Sequence, residues 1–292
     1  MENLSQTVET IAIPVAIPVP AYLHDHIVSG RVVLPAVEAL RVLARTLPAA
    51  AGADPLRQER GVFSHLLTVE PGLKEIPAVH EFTRYADGRC FSRLVTVFHG
   101  RQAQWTRRVE HVSVFFLPAD AEAKTVPGDG PEPDSGERAV PATPAFTLPR
   151  RRLYEELVPF GPAYRNVAGD VLLTAAGASA ELFGGDIPEP VGPLGSPFPA
   201  DAAFHVACAW GQRYKNTIAF PVGFAKRQIL APTRAGEAYS CRVVPLSAKT
   251  PALCFDIRIY GGDGRPAEVI RGLEMRDISG GRRRPPAWVR EG

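Results

Sequence analysis

Three side chains in this sequence have the type and the setting to move protons near neutral pH: His26, Asp201 and His205. His26 opens the run His26-Ile27-Val28-Ser29-Gly30-Arg31-Val32-Val33-Leu34-Pro35. An imidazole is the usual proton acceptor at that pH, and a backbone partner on one ring nitrogen sets its tautomer. Gly30 permits a positive φ or a close backbone approach. Pro35 suits the first turn of a helix, where no N–H donor is needed. Taken alone, His26 also reads as a loop side chain that packs or caps. Asp201 and His205 are four residues apart, which puts both on one face of a helix. Phe198, Ala202, Phe204, Val206 and Trp210 make their surroundings apolar, and desolvation favours the proton-holding form of a carboxylate. The plainer alternative is an acid placed at a helix start by the helix dipole. A third signal, Phe160-Gly161-Pro162-Ala163-Tyr164, is by itself only a Gly-Pro turn.

The elements that must position these residues fall into two similar series. In the first, an extended apolar lead over Ile11 to Val19 precedes the His26 loop. A helix follows, with Ala36, Leu40, Leu43 and Leu47 at helical spacing. Strand-like runs come next at Val62 to Val69, Ala78 to Tyr85, Phe91 to Phe98 and His111 to Leu117. In the second, strands at Asn166 to Leu173 and Ala178 to Phe183 lead through a Pro/Gly-rich loop, Pro188 to Pro199, into a helix over Asp201 to Tyr214. Strands then run over Ala219 to Leu230, Ala238 to Pro245, Leu253 to Tyr260 and Pro266 to Ile278, with a tight turn at Gly261 to Gly264. One helix per half cannot cover both faces of a parallel sheet. The class is therefore α+β, each antiparallel sheet wrapped around its own helix.

Pro118 to Pro149 holds seven prolines in 32 residues. Such a segment buries too little to offset its ordering entropy and reads as an extended linker. The expected organisation is 1–117, a linker over 118–149, a second unit over 150–280, and a frayed Arg-rich tail over 281–292. The 292 residues carry 33 Lys+Arg against 31 Asp+Glu, a balance that disfavours a nucleic-acid or acidic-membrane binder. No apolar run approaches the ~20 residues of a membrane span. The acidic start lacks the basic region of a signal peptide. Four scattered cysteines (Cys90, Cys208, Cys241 and Cys254) without a CxxC pair read as reduced thiols of a cytoplasmic protein, with no zinc site.

Together these segments form a resemblance. His26, Gly30 and Pro35 complete an HxxxGxxxxP motif, and Asp201 with His205 completes a DxxxH pair in the second half. Tyr154 and Phe160 to Tyr164 look like a Tyr…YGPxF segment. The stretches Phe220 to Phe224, Phe255 to Gly264, and Gly272-Leu273 also match. The chain resembles, from about Ile13 to Ile278, the dehydratase domains of polyketide and polyunsaturated fatty acid synthases. The resemblance implies a double hotdog: two tandem hotdogs, with a tunnel between them lined by His26 from one and Asp201 from the other. It implies dehydration of a 3-hydroxyacyl thioester on an acyl carrier protein, with His26, Asp201 and His205 catalytic. Gly30, Pro35, Gly161, Pro162 and Tyr164 would contact substrate. No cofactor or metal is required, and homodimerisation is left open. Another hotdog thioester enzyme (an isomerase or thioesterase), a product-template-like cyclisation domain and a silent structural double hotdog are the alternatives. Three positions need comment. Phe160 has no hydroxyl, Ala36 stands where many such domains have Gly, and His24 is expected to be a bystander to His26.

Overall fold

The computed structural model describes residues 6–99, 106–119, 146–186, 192–247 and 252–291. The first half contributes strand β1 (Thr7–Pro18), a small hairpin β2 (Ile27–Val28) and β3 (Arg31–Leu34), and helix α1 (Ala36–Arg45). Strands β4 (Ala53–Phe63), β5 (Leu67–Thr68), β6 (Glu75–Tyr85), β7 (Cys90–His99) and β8 (Thr106–Pro118) follow. The second half opens with β9 (Phe146–Leu148) and the helical turn α2 (Arg150–Arg152), which runs into a π-helical turn at Leu153–Leu157. It continues with β10 (Val171–Thr174), β11 (Gly177–Phe183) and helix α3 (Phe198–Lys215). Strands β12 (Phe220–Ile229), β13 (Ala238–Leu246), β14 (Leu253–Gly261) and β15 (Pro266–Arg276), then the short helix α4 (Ala287–Glu291), complete it.

The sheets of the two halves join edge to edge. Twelve antiparallel strands run in the order β1-β6-β7-β8-β4-β12-β15-β14-β13-β11-β10-β9. The seam is β4 against β12, with Gly223 opposite Val62 and Arg227 opposite Gln58. Helix α1 packs on β7 and β8, and α3 packs on β11, β13 and β14. Strand alternation explains this: Phe255, Ile257 and Ile259 of β14 are fully buried, while Cys254, Asp256, Arg258 and Tyr260 between them are partly exposed.

Three expectations need correction. The seam strand Ala53–Phe63 replaces the strand expected at 62–69, where Ser64, His65 and Leu66 are exposed loop. Its sequence ADPLRQERG hides a strand because its burial comes from pairing with β12, not from apolar alternation. The end of the expected linker, Phe146–Leu148, pairs with β10; residues 120–145 lie outside the described residues. The expected frayed tail is docked: Val289 is fully buried and its carbonyl accepts from Arg213 Nη1 at 2.6 Å. The loop expected over 188–199 lies partly outside the described residues, but Phe198 and Pro199 already belong to α3.

Candidate active site

His26 sits directly after a 3-10 turn (Ala21–Asp25) and before the β2–β3 hairpin. Ser29 and Gly30 form the hairpin turn with φ of 54° and 77°. A two-residue turn with both φ positive matches the right-handed twist of its strands, and glycine adopts it without strain. The hairpin folds back so that His26 Nδ1 lies 2.8 Å from the carbonyl of Val33. A carbonyl only accepts, so Nδ1 carries the proton and Nε2 keeps its lone pair. Pro35 is the cap residue of α1, and its carbonyl accepts from the amides of Glu38 and Ala39.

Asp201 and His205 lie in the first two turns of α3, both buried. Asp201 Oδ2 and His205 Nε2 are 3.1 Å apart but not aligned as a hydrogen bond, and neither has another such partner among the described residues. The other face of His205 is held by Tyr154: Nδ1 lies 3.4 Å from the phenol oxygen. That oxygen accepts the Val167 amide at 2.8 Å, leaving the phenol proton for His205 Nδ1. His205 Nε2 is thereby the protonated nitrogen turned toward Asp201. Burial raises the Tyr154 pKa and keeps it neutral.

The two half-sites meet on one cavity of about 570 Å³. His26, Gly30 and Pro35 line it from the first half, and Asp201, His205 and Phe160 from the second. Most of its remaining wall is apolar, as a site for an acyl chain would be. Burial pushes the His26 pKa below its ordinary 6.5, opposed by the Asp201 carboxylate and the Val33 bond and reinforced by His205. His26 thus stands in the field of Asp201 and is held neutral, the state of a proton acceptor. The Phe160 ring stacks on His26 at 4.4 Å between centroids, with 23° between planes, and lies 5.1 Å from His205.

Gly161, Pro162 and Tyr164, expected to contact substrate, do not line the cavity. Gly161 packs against Asp25 and leads into a 3-10 turn over Pro162–Tyr164, whose Tyr164 is fully buried behind His26, 5.0 Å from its ring. Of that segment Phe160 reaches the wall, which Glu156 to Pro159 continue just before it. His24 is exposed and absent from the wall, as a bystander would be. Sequence reasoning missed Arg283 and Ile278, which line the cavity from the tail, and Cys208, one further turn along α3 from His205. The spacing of Asp201, His205 and Cys208 was the available signal for the last. Among the described residues, no three His, Cys, Asp or Glu side chains converge to hold a metal, and no helix is long and apolar enough to cross a membrane.

No protein-family model matches the sequence, and no curated protein does. Solved structures do. A dehydratase domain of a mycocerosic acid synthase-like polyketide synthase superposes with a TM-score of 0.71 at 16% identity, over 93% of this chain and 95% of that one. The chain has the double hotdog fold of such dehydratase domains. The dehydratase domain of the CurK module of curacin polyketide synthase matches with a TM-score of 0.68 at 13% identity, covering 94% and 95%. A bifunctional dehydratase-cyclase domain of ambruticin biosynthesis matches at 0.59 and 20%, covering 91% of each. In this double hotdog the shared cavity lies where the start of α3 faces the hairpin that precedes α1.

Proposed function

We propose that the protein is a dehydratase that removes water from a 3-hydroxyacyl thioester to give a 2-enoyl thioester, the acyl group being carried on an acyl carrier protein. One observation carries the reading: a histidine with a free Nε2 lone pair and a carboxylate, from opposite halves, line one mostly apolar cavity. His26 Nε2 takes the proton from the carbon next to the thioester carbonyl. The electron pair forms the new carbon–carbon double bond as the C–O bond to the 3-hydroxyl breaks. Asp201 enters the step as the carboxylic acid and gives its proton to that oxygen, which leaves as water, so that the step ends with Asp201 as carboxylate and His26 protonated. A return of the proton from His26 to Asp201 restores both groups.

His205, turned by Tyr154, orients Asp201. The thioester oxygen gains charge as the proton leaves, and fixed N–H donors are the usual answer. The first turn of α1 presents the amides of Ala36 and Val37, which precede the first amide bonded within the helix, that of Glu38. Both residues line the cavity, and we assign them this part. Like His26, a cytoplasmic setting and the carrier-protein partner belong to this reading.

The test is mass spectrometry on a panel of 3-hydroxyacyl carrier-protein thioesters. Loss of one water with wild-type protein is expected. Unchanged mass across the panel would contradict the reading.

A further inference from the structure

The base and the acid stand on different halves of the molecule, so something must fix one half against the other at the reacting atoms. The seam between β4 and β12 does so along the sheet, reaching the cavity wall at Phe63 and Val222. A nearer contact lies beside His26. Asp25 closes the 3-10 turn of the first half, and its backbone carbonyl accepts the amide of Gly161 at 2.8 Å. Its carboxylate Oδ2 accepts the amide of Ala163, also at 2.8 Å. Both donors belong to the second half, at the start of the turn Pro162–Tyr164. Asp25 thus caps a helical turn that is not its own. Gly161 allows the approach: a Cβ there would collide with the Asp25 side chain. The residues next to these two, His26 and Phe160, are the pair stacked at 4.4 Å.

We infer that Asp25 is a positioning residue, a latch that holds the Phe160 wall of the second half on the His26 imidazole. The inference rests on the dehydratase reading for what His26 does, but not for how the latch is detected. With the latch closed, Phe160 and Tyr164 shield the imidazole from the second half. The charged or titratable groups facing His26 are then Asp201 and His205 of α3, and Tyr164 stands behind. With the latch open, water reaches the ring and its protonated form regains its solvation.

The test compares wild type, Asp25→Asn, Asp25→Ala and Gly161→Ala. Asparagine keeps an oxygen to accept the Ala163 amide; alanine removes it. A methyl group at Gly161 pushes the Asp25 side chain out from the opposite side, so the latch is opened by two independent routes. The His26 ring titration, followed by NMR, is read first because it needs no substrate. Wild type and Asp25→Asn should share a depressed titration, and Asp25→Ala and Gly161→Ala should move it up toward 6.5. In the water-loss assay the two opened variants should lose on the order of 10–100-fold in kcat, the cost of misplacing a reacting group, with KM little changed. The acid limb of their pH profile should move to higher pH, while Asp25→Asn stays near wild type. A merely structural role would lower thermal stability without moving the titration. An unchanged His26 titration in both opened variants overturns the latch. A moved titration in a wild-type background that loses no water from any thioester supports the latch and overturns the dehydratase reading instead.

Discussion

The two halves are built alike and hold His26 and Asp201 in opposite ways. In the first, helix α1 has ten residues, and its buried face includes a charged pair, Arg41 Nη1 on Glu38 Oε2 at 2.6 Å, with Tyr22 donating to Glu38 at 3.0 Å. His26 is not on that helix. It stands on the preceding loop, tied by one hydrogen bond to the Val33 carbonyl and by contacts from the other half. In the second, α3 has eighteen residues, fourteen of them buried, and Asp201 lies inside its first turn. A loop can aim one nitrogen while the other is tied to its own hairpin. A buried helix holds a carboxylate rigidly among apolar neighbours. The first half therefore depends on its partner for geometry, and the second supplies it.

Breaking the pair of groups themselves should have the largest effect. His26→Ala and Asp201→Asn should each lower water loss by ~10²–10⁴-fold, with the melting transition followed by circular dichroism retained. His205→Gln should be milder, because its amide can still donate to Asp201.

The seam between the halves comes next. Arg227 Nε meets Glu268 Oε1 at 2.7 Å, both fully buried, with Gln58 of the first half 3.4 Å from Arg227 Nη1. Removing one partner strands a buried charge. Glu268→Ala should cost about 3–5 kcal/mol in denaturant unfolding, whereas the double change Arg227→Met with Glu268→Leu should be nearly neutral.

The first half also carries a buried acid-sensitive histidine. His80 is buried beneath α1, held by Thr46 at 2.8 Å, and burial pushes its pKa from 6.5 down to about 4. The unfolded chain takes up that proton as pH falls below 6.5 and the folded chain does not. Stability is therefore full above 6.5 and falls, by up to about 3 kcal/mol, as pH drops toward 4. A His80→Leu variant should flatten that part of the thermal-stability profile; an equal slope would show that other groups cause it.

The smallest effect belongs to the tail of the second half. Trp288 lies under the Arg152 guanidinium at 3.3 Å and donates to Glu156 Oε2 at 2.5 Å. Trp288→Ala loosens the segment that brings Ile278 and Arg283 to the cavity. A loss of ~1 kcal/mol should raise KM about fivefold with kcat kept.

The fold was legible where burial follows one element's own periodicity. The α3 pattern and the β6, β7, β13 and β14 alternations lie within a few residues of the observed elements. Strand β4 was not legible, because its partner β12 lies far along the chain and its polar run carries no apolar alternation, with only Gln58 of its polar side chains buried. The docked tail was hidden for the same reason, since an Arg-rich, Pro-rich run gives no local sign that Val289 fills a hole. At the site, His26, Gly30, Pro35, Asp201 and His205 could be picked out by type and spacing, and all five line the cavity. Gly161, Pro162 and Tyr164 were singled out correctly as a conspicuous segment but assigned the wrong contact. Nothing in a Gly-Pro turn reveals that it faces Asp25 and not the ligand.

The central claim is that one group from each half acts on one substrate in one reaction. A double-mutant cycle on water loss tests it, using His26→Ala, Asp201→Asn and the combined variant with one 3-hydroxyacyl carrier-protein thioester. Groups that act as a unit are not additive. The combined variant should be no slower than the slower single variant. Losses that multiply in the combined variant would mean that the two residues act independently, and would contradict the account.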